Sequence, residues 1–331
     1  MRNNSNAKIL DLRETQIAIK SLKDYFQRDL ANTLNLARVS APLFVRPETG
    51  LNDNLNGEKA VNFKIRNYDI DVEIVQSLAK WKRNALKKYH FGIYEGIYAD
   101  MNAIRAEEFL DNIHSSYVDQ WDWEKIISKI DRNSEYLHLI VNEIFSVFKR
   151  SEEYINQTYP YILSAKLPDE IFFVSSQELE DAYPNLSGKE RENAIAKDKK
   201  AVFIQGIGGD LKSGKPHDLR SPDYDDWSLN GDIIFWNPTL NSSIELSSMG
   251  IRVDENTIID QCKKTGNEER LTLPYHKDII EKNLPYTIGG GIGQSRICMF
   301  FLEKSHIGEV QVGVWDDETL KTSYDKGIEL L

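Results

Sequence analysis

Cysteine is scarce in this sequence, whose 331 residues include only Cys262 and Cys298. Two cysteines in separate segments predict neither a disulfide framework nor a thiol-based metal site. Both fall in segments with the apolar periodicity of helices, and we expect buried thiols that contribute to packing.

Long apolar runs are also absent. No segment reaches the roughly 20 residues that a membrane-spanning helix needs. Residues 1–11 are polar and rich in Asn, without the apolar stretch of a signal peptide. We therefore expect a cytoplasmic protein with no membrane partner, in which residues 1–11 are flexible.

Positive charge is in deficit, because 41 Lys and Arg residues face 52 Asp and Glu residues and give a net charge of −11. Sequence-independent binding of nucleic acid relies on neutralising phosphates, so no nucleic-acid partner is expected. Internal repeats, low-complexity segments and Pro/Gly-rich linkers are lacking too. With 40% hydrophobic residues, enough for a substantial core, the sequence predicts a single domain spanning residues 1–331.

What the sequence does contain is an unusual glycine run. Residues 287–296 read TIGGGIGQSR and are followed by an apolar run at 297–302. We predict a strand whose glycines let another group approach the backbone, then a buried helix carrying Arg296. A dinucleotide fingerprint is excluded, because it needs a small residue where Arg296 stands and belongs to an early βαβ unit. Two interpretations remain, a nucleotide whose phosphates need a fixed cation and a tight packing turn.

A second glycine-rich segment, residues 206–216, nearly spells a phosphate-binding Walker loop. Pro216 occupies the position at which that loop needs a Ser or Thr hydroxyl for magnesium. We therefore predict a mobile, hairpin-like loop that orders over a bound substrate.

Apolar periodicity indicates a mixture of helices and strands. A long amphipathic helix begins at Thr15, and the strand after it, residues 36–45, contains Pro42, which favours a sheet edge. Together they are suited to a dimer interface. Further helices are predicted at 137–154, after the capping residue Ser187, near 256–264 and at 275–282. Further strands are predicted at 61–65, 70–74, 97–105, 115–124, 171–174, 201–205, 231–236, 243–253 and 310–315.

One predicted strand carries a polar row opposite an aromatic row. Alternation sends Gln120, Asp122 and Glu124 to one face and Trp121 and Trp123 to the other. Such a strand is either half of a site built on a sheet or a strand with one solvated face.

Three cations crowd the start of the helix after Ser77. Lys80, Lys82 and Arg83 oppose the helix dipole there. This arrangement indicates either an anionic ligand nearby or a solvated basic face.

Two acids interrupt apolar strands. An isolated buried carboxylate at Asp232 or Glu245 is unfavourable. Magnesium held jointly with substrate phosphates removes the penalty, and so does exposure at a sheet edge.

The order of these parts resembles the three motifs of class II aminoacyl-tRNA synthetases. The parts are a Pro-containing strand after a long helix, a strand–loop–strand around Arg105, and a glycine strand leading into the helix with Arg296. More narrowly, the chain resembles the aspartate–ammonia ligase family, built on that catalytic core, over nearly its whole length. The runs that carry the resemblance are Asp53-Asn54-Leu55, Ser77 to Arg83, Tyr117 to Glu124, Arg220 to Trp227, Asn230-Gly231-Asp232, Glu245 to Val253 and Thr287 to Arg296.

The resemblance implies an α+β fold, with a central mostly antiparallel sheet flanked by helices, and a homodimer. It implies an enzyme that converts L-aspartate, ammonia and ATP into L-asparagine, AMP and pyrophosphate through β-aspartyl-AMP. Fixed arginines and Mg²⁺ neutralise charge during the attack on phosphorus. Asp232 and Glu245 are the implied contacts for Mg²⁺ and ATP.

The same resemblance implies the nucleotide contacts. Arg105 contacts the α-phosphate, and Arg296, with Gly293, contacts the nucleotide and its terminal phosphates. Arg220, which follows the glycine-rich loop, is implied to make a further phosphate contact.

The aspartate contacts are also implied by the resemblance. They are Lys82 and Arg252 for a carboxylate, Asp122 or Asp225 for the α-ammonium, and Ser77, Gln120 and Ser248 for neutral hydrogen bonds. Asp53 is implied to lie nearest the incoming ammonia, as a base or an orienting group, and to act catalytically with Arg105 and Gln120.

The family's pattern carries a histidine where this sequence has Gln76, so any proton transfer at that position stays open. Two alternatives to the ligase remain. An aspartyl- or asparaginyl-tRNA synthetase needs an anticodon-binding domain, and we expect the residues before Arg13 to be too few for one. A non-catalytic relative that binds aspartate or adenylate has no need of the phosphate-binding arginines and acids.

Overall fold

The computed structural model describes residues 10–53, 58–160 and 163–331. Within these residues the chain forms an eight-stranded sheet, a three-stranded sheet and nine α-helices. The strands are β1 (Leu36–Arg38), β2 (Phe44–Val45), β3 (Asn62–Ile65), β4 (Ile70–Ile74), β5 (Gly96–Ile104), β6 (Tyr117–Ile126), β7 (Phe172–Ser175), β8 (Ala201–Gln205), β9 (Asp225–Asn237), β10 (Ser242–Arg252) and β11 (Thr287–Gly293). The helices are α1 (Leu12–Leu34), α2 (Ala79–Lys88), α3 (Ser134–Thr158), α4 (Ser176–Ala182), α5 (Gly188–Lys199), α6 (Thr257–Lys264), α7 (Pro274–Ile280), α8 (Gln294–Phe301) and α9 (Asp317–Asp325).

The large sheet has the strand order β1-β5-β6-β11-β10-β9-β8-β7, and the small sheet has the order β2-β4-β3. In the large sheet the outer pairs β1/β5 and β7/β8 are parallel, and the pairs between them are antiparallel. The predicted α+β fold with a mostly antiparallel central sheet is confirmed. The glycine strand β11 lies in the middle of that sheet, between β6 and β10.

Helices α1 and α3 pack on one face of the large sheet. Phe26 of α1 stacks on Trp121 of β6 with 4.9 Å between ring centroids, and Phe148 of α3 lies 5.1 Å from Phe26. All three rings are buried, and burying an apolar side chain of this kind contributes about 1.5–3 kcal/mol. Because Trp121 points into this layer, its neighbours Gln120 and Asp122 point to the opposite face.

Helix α1 is capped at both ends. Asp11 and Glu14 form a capping box, with the Glu14 backbone N–H donating to Asp11 Oδ1 at 2.8 Å, and Asn35 ends the helix in the left-handed conformation. Of residues 1–11, for which the sequence predicts flexibility, residues 1–9 lie outside the described residues. Leu10 is buried, and Asp11 is the cap.

The Pro-containing segment at 36–45 forms two strands rather than one. β1 pairs with β5 at the edge of the large sheet, and β2 pairs with β4 in the small sheet. The prediction of a single strand is therefore wrong, although the edge position is confirmed. Pro42 lies between the two strands and has no N–H to continue a ladder of hydrogen bonds.

Four of the predicted strands, at 61–65, 70–74, 231–236 and 243–253, form two antiparallel hairpins. β3 and β4 pair antiparallel with Ile65 opposite Ile70, and β9 and β10 pair antiparallel over most of their length. Ser187 and Glu190 form the predicted capping box at the start of α5.

The strand predicted at 310–315 is wrong. The backbone N–H groups of Val310 and Gln311 both donate to Ile307 O, in a turn. Val312 and Val314 are 70% and 80% exposed, so the alternating valines of this segment do not bury a face. The helix α9 that follows, and the short helix α4, escape the sequence analysis.

The two cysteines are buried, as predicted. Burial raises the pKa of Cys262 in α6 to about 11 and that of Cys298 in α8 to about 12. Across the described ranges, no helix is long and apolar enough to cross a membrane.

Candidate functional site

A row of polar and glycine residues crosses the large sheet on the face opposite α1 and α3. In the strand register, Asp122 of β6 lies opposite Gly291 of β11, Gly291 opposite Ser248 of β10, and Ser248 opposite Asp232 of β9. Register partners point to the same face of a sheet. Because Gly291 has no side chain, the end of Gln120 can lie over its backbone. Gly291, Gln120, Asp122 and Ser248 all line one cavity.

Most of the site residues predicted from the sequence line this cavity. They are Ser77, Arg105, Gln120, Asp122, Arg220, Asp225, Glu245, Ser248 and Arg252. A second cavity, lined by Gly293 and Arg296, shares Gln120, Glu245 and Gly291 with the first, so the two adjoin. Asp53, Lys82 and Asp232 are not on the cavity lining, but each contacts a residue that is.

The glycines of β11 make room for side chains of the neighbouring strands. A Cβ atom on Gly289 would lie 2.6 Å from Arg252 Nη2 and would overlap the Glu124 carboxylate. A Cβ atom on Gly291 would overlap the end of Gln120. Neither glycine has a positive φ, so the requirement at both positions is space rather than backbone conformation.

Arg252 joins two carboxylates at one end of the cavity. Its guanidinium donates to both oxygens of Glu124, with Nη2 2.7 Å from Oε2, and its Nη1 donates to Asp225. Burial alone would raise the pKa of Glu124, but the charge and hydrogen bonds of Arg252 hold that pKa below its ordinary value. For Asp225, burial prevails and raises the pKa. Glu124 is fully buried, so the interpretation of β6 as a strand with one solvated face is wrong.

Lys82 lies beneath the floor and supports Asp122. Its Nζ is 2.5 Å from Asp122 Oδ1, 3.0 Å from Trp123 O and 3.2 Å from Gly290 O. These three acceptors match the three N–H bonds of an ammonium group. The other carboxylate oxygen, Asp122 Oδ2, is buried and has no hydrogen-bond partner among the residues that the structure describes.

The other cations at the start of α2 are buried as well. Lys80 Nζ donates to Asp223 Oδ2 at 2.6 Å, and Arg83 donates to the carbonyl oxygens of Pro285 and Val253 at 2.8 Å each. Lys80 and Arg83 are 4% and 1% exposed. The interpretation of this segment as a solvated basic face is therefore wrong, because its cations are bonded inside the protein.

Two arginines stand on the cavity wall. Arg105, just after β5, donates to Gln76 O at 3.2 Å. Arg220 donates to Asp232 and, at 2.9 Å, to Asp218 Oδ2. Burial opposes the charge of Arg220, but the carboxylates around it raise its pKa well above the ordinary value. The Arg220 guanidinium therefore stays charged. Burial lowers the pKa of Arg105, and both arginines line the cavity.

Asp232 and Glu245 belong to central strands, so neither lies at a sheet edge. The Glu245 side chain is nevertheless 40% exposed, so the alternative of exposure is wrong for Asp232 only. Asp232 is 3% exposed, and its Oδ1 is buried without a hydrogen-bond partner within the described ranges. Burial and the charge of Glu245 raise the pKa of Asp232 despite the opposing charge of Arg220. No group of three or more His, Cys, Asp or Glu side chains suited to a metal ion occurs in the described residues. A cation held here would therefore need oxygen atoms from a ligand as well.

Arg296, in the first turn of α8, faces the second cavity. Its Nη1 donates to the Glu245 backbone oxygen at 3.1 Å and lies 3.8 Å from Glu245 Oε2. A quarter of the Arg296 side chain is exposed. The guanidinium is thus fixed at one end and open toward the cavity at the other.

Asp53 is buried beside the cavity. The side-chain oxygen of Asn52 accepts from the backbone N–H groups of both Asp53 and Gln76, at 3.0 and 2.9 Å. The hydroxyl of Ser221, a lining residue, is 3.0 Å from Asp53 Oδ1. Asn54 and Leu55, which belong to the same sequence run, lie outside the described residues.

The glycine-rich loop at 206–216 has the predicted hairpin shape. Asp210 and Pro216 form an antiparallel bridge. Lys212 donates to Asp181 at 2.7 Å and the Ser213 hydroxyl donates to Glu180 at 2.6 Å, which ties the loop to α4. Movement of this loop over a substrate stays a prediction.

Some residues of the site are not among the contacts predicted from the sequence. Gln76 and Tyr224 line the cavity, Glu124 fixes Arg252, and Ser221 contacts Asp53. The sequence does contain features that point to these residues. Gln76 is next to Ser77, and Glu124 belongs to the polar row of β6. Ser221 and Tyr224 fall in the run from Arg220 to Trp227 that carries the family resemblance.

In and beside the cavity, the oxygens Asp122 Oδ2 and Asp232 Oδ1 lack a hydrogen-bond partner among the described residues, and several guanidiniums are held in fixed positions. Carboxylate oxygens are suited to an ammonium group or a metal ion, and guanidiniums are suited to carboxylates and phosphates. This set is suited to a zwitterion bound beside a polyphosphate.

Comparison with known proteins gives consistent matches over nearly the whole chain. A family model described as aspartate–ammonia ligase matches residues 13–327. The aspartate–ammonia ligase of Clostridium tetani is 61% identical over 324 residues, which cover 97% of this chain and 95% of that protein. The aspartate–ammonia ligase of Fusobacterium nucleatum is 60% identical over 323 residues, which cover 97% of this chain and 98% of that protein.

Solved structures show the same fold at low sequence identity. Asparaginyl-tRNA synthetase from Pyrococcus horikoshii superimposes with a TM-score of 0.66 at 14% identity, covering 91% of this chain and 70% of that one. Aspartyl-tRNA synthetase from Entamoeba histolytica gives a TM-score of 0.61 at 14% identity, covering 92% and 59%. The predicted class II synthetase-like fold is confirmed.

Proposed function

This chain belongs to the aspartate–ammonia ligase family, and we propose on that basis that it converts L-aspartate and ammonia into L-asparagine while ATP is split into AMP and pyrophosphate. The observation that carries the proposal is the row of Asp122, Gly291, Ser248 and Asp232 on the sheet. Arginines surround this row on the cavity wall. One surface thus offers an acceptor for an ammonium group, a floor of Gly291 and Gln120 for a small ligand, and cations for phosphates.

Aspartate binds over Gly291. Its α-ammonium group lies against Asp122 Oδ2, while Lys82 keeps the other oxygen in place. A guanidinium has five N–H donors, and those of Arg252 that are not directed at Glu124 and Asp225 bind the α-carboxylate. The remaining hydrogen-bonding groups of the aspartate site are Ser77, Gln120, Asp225 and Ser248.

ATP binds across both cavities, with Arg105 at the α-phosphate, Arg220 beside it, and Arg296 with Gly293 at the nucleotide and its terminal phosphates. In the first step a β-carboxylate oxygen of aspartate forms a bond to the α-phosphorus. The bond between that phosphorus and the bridging oxygen breaks, and pyrophosphate leaves with the electron pair. Arginines fixed before the reaction stabilise the charge that develops on the phosphate oxygens.

A magnesium ion fits beside Asp232 and Glu245. The buried Asp232 Oδ1 lacks a partner in the described part of the chain, and two carboxylates with phosphate oxygens are a donor set that Mg²⁺ favours. When bound, Mg²⁺ withdraws charge from the phosphate oxygens. Asp232 and Glu245 hold it, and Arg220 orients Asp232.

Ammonia reacts in the second step, on the side of Asp53. Asp53 takes a proton from ammonium, and the nitrogen attacks the β-carbonyl carbon of the aspartyl adenylate. The bond from that carbon to the phosphate oxygen breaks, AMP leaves with the electron pair, and the nitrogen loses a further proton to give the amide. Gln120 and Arg105 orient the reacting carbonyl and phosphate.

An assay with purified protein, aspartate, ATP, Mg²⁺ and ammonium tests this function. We expect AMP and asparagine in equal amounts. If neither product forms, the proposed function is wrong. Stable charging of tRNA would favour a synthetase instead, and tight binding of aspartate and ATP without turnover would favour a non-catalytic relative.

A single catalytic domain, a homodimer and a cytoplasmic location belong to the same proposal. The dimer is supported by the position of β1 at the sheet edge and by exposed apolar residues on the small sheet, where Leu43, Phe44 and Phe63 are 53%, 39% and 43% exposed. Sedimentation of the purified protein at twice the chain mass of 38.1 kDa is expected, and sedimentation as a monomer at assay concentrations contradicts the dimer.

A further inference from the structure

The Ser221 hydroxyl lies between two buried carboxylates. Its Oγ is 3.0 Å from Asp53 Oδ1 and 2.9 Å from Asp223 Oδ1. Ser221 is 6% exposed, and the two acids are 4% and 0% exposed. A serine hydroxyl carries one proton, so it donates to one of these carboxylates at a time.

Asp223 is fixed as an anion. Its Oδ2 is 2.6 Å from Lys80 Nζ, 2.8 Å from His276 Nε2 and 3.3 Å from Arg270 Nη1. Burial alone would raise the pKa of Asp223, but the charge of Lys80 and the hydrogen bond of His276 hold that pKa far below its ordinary value. Asp223 therefore accepts hydrogen bonds throughout and does not take up protons near neutral pH.

The protonation state of Asp53 then decides where the hydroxyl points. When Asp53 is ionised, the hydroxyl donates to it, because Asp223 keeps its other donors. When Asp53 is protonated, its O–H donates to Ser221 Oγ, and the hydroxyl turns to donate to Asp223. Both states are hydrogen-bonded, and they differ by the proton on Asp53 and one rotation of the Ser221 hydroxyl.

We propose that Ser221 is a positioning residue for the ammonia step, a hydroxyl that turns between Asp53 and Asp223 as Asp53 takes up and releases the proton of ammonium. This role rests on the proposed function of Asp53. One N–H bond of ammonium breaks and an O–H bond forms on Asp53, which leaves ammonia with a lone pair for the carbonyl. The later release of that proton from Asp53 to solvent returns the hydroxyl to its first orientation.

Other charged and titratable groups face Asp53 from the elements around it. Arg105 and Tyr224 interact with it electrostatically, and Lys80 donates to the carbonyl oxygen of the preceding residue, Asn52, at 3.1 Å. These groups remain in place when Ser221 is changed. A hydroxyl that donates to an anion forms a stronger bond than one that accepts from a neutral acid. Its removal therefore disfavours ionised Asp53, and a higher pH is needed to ionise it.

The test separates the two half-reactions in the Ser221→Ala variant. The exchange of labelled pyrophosphate into ATP, dependent on aspartate, reports adenylate formation without ammonia. We expect this exchange to stay within about threefold of wild type. We expect kcat/KM for ammonium at neutral pH to fall about tenfold or more, and the acid limb of its pH profile to move to higher pH.

Two further variants serve as controls. Ser221→Thr keeps the hydroxyl, and we expect it to restore kcat/KM for ammonium and the pH profile toward wild type. Ser146→Ala removes a hydroxyl that donates to the Asn142 backbone oxygen at 2.9 Å on α3, outside the cavity, and it should match wild type in both assays.

The outcomes distinguish this role from the function it rests on. An unchanged pH profile and kcat/KM for ammonium in Ser221→Ala overturn the role of Ser221. An equal loss of exchange and of ammonium-dependent turnover also overturns it, since the hydroxyl then serves adenylation or folding. Absence of aspartate-dependent exchange in the wild-type protein contradicts the proposed function itself.

Discussion

Gly289 and Glu124 lie opposite each other in neighbouring strands, and the space left by the missing Gly289 side chain holds the Glu124 carboxylate with its Arg252 partner. We expect Gly289→Ala to lower the free energy of unfolding by about 1–3 kcal/mol, as overpacking does, and to abolish turnover by displacing Arg252. Urea unfolding and the asparagine assay measure the two effects. Gly209→Ala is the control, because a Cβ atom there meets nothing within 4 Å; a similar loss in both variants would contradict the steric explanation.

The Glu124–Arg252 pair should make the stability of the folded protein sensitive to acid. The folded-state pKa of Glu124 lies below its ordinary value of 4.5. A depressed carboxyl pKa stabilises the fold above the unfolded pKa, and this contribution is lost as the pH falls through the folded pKa. We expect the free energy of unfolding to decrease below about pH 4.5, and Glu124→Gln to show a shallower decrease. Urea unfolding at several pH values around pH 4.5 measures this decrease, and Glu329→Gln, at an exposed position, is the control. Parallel pH curves for Glu124→Gln and wild type would show that the Glu124–Arg252 pair does not determine the loss of stability in acid.

Substitution of Arg296 tests whether this residue binds phosphate or only contributes to packing. We expect Arg296→Ala to lower kcat by of the order of a hundredfold or more if it stabilises charge on transferring phosphate, with the free energy of unfolding changed by less than about 0.5 kcal/mol. Steady-state kinetics with varied ATP and a denaturation curve provide both numbers. The exposed Arg13→Ala should behave as wild type. Near-normal turnover of Arg296→Ala would return this residue to a packing role.

The magnesium assignment can be tested at Arg220, which pairs with two different acids. We expect Asp232→Asn to raise the Mg²⁺ concentration for half-maximal turnover by about tenfold or more, since changes even outside a metal's direct ligands typically cost 10–100-fold. Asp218→Asn removes the other partner of Arg220, a carboxylate that is 57% exposed and off the cavity lining. It should leave the Mg²⁺ dependence unchanged. Equal effects of the two substitutions would attribute the change to Arg220 rather than to a metal ligand.

Lys82 tests whether a cation supports the site from beneath or binds substrate directly. Lys82→Met leaves the Asp122 charge buried without its partner, and we expect a loss of about 3–5 kcal/mol in the free energy of unfolding. Lys20→Met, which removes an exposed pair with Asp24, should cost at most about 0.5 kcal/mol. If Lys82→Met keeps its stability and only raises KM for aspartate, the lysine contacts substrate instead.

The sequence pattern identifies most strands and helices of this protein, and the resemblance to the aspartate–ammonia ligase family identifies most of the lining residues. Period-two alternation places Gln120 and Asp122 on the face opposite Trp121, and the glycine run predicts a close approach at β11. These inferences succeed because each depends on neighbours a few residues apart, where side-chain direction follows from the backbone period.

Contacts between distant residues are what the sequence does not reveal. The partners of Lys80 and Lys82 lie 143 and 40 residues away, so their charge alone does not distinguish a buried pair from a solvated one. Likewise, valines recur at every second position from 310 to 314 in the manner of a strand, yet Val310 and Gln311 close a turn onto Ile307. A strand requires an edge to pair with, and local sequence does not specify that edge.

The position of β11 also has a consequence for synthesis on the ribosome. β11 is the strand that joins β6 to β10, and it follows β6 by about 160 residues and β10 by about 35 along the chain. Until residue 293 has left the ribosome, the earlier strands can form only two separate half-sheets, each with an unpaired edge at the future centre. Asp122 lies on one half and Ser248 and Arg252 on the other. Chains that stop before β11 therefore lack the site and expose both inner edges to other chains.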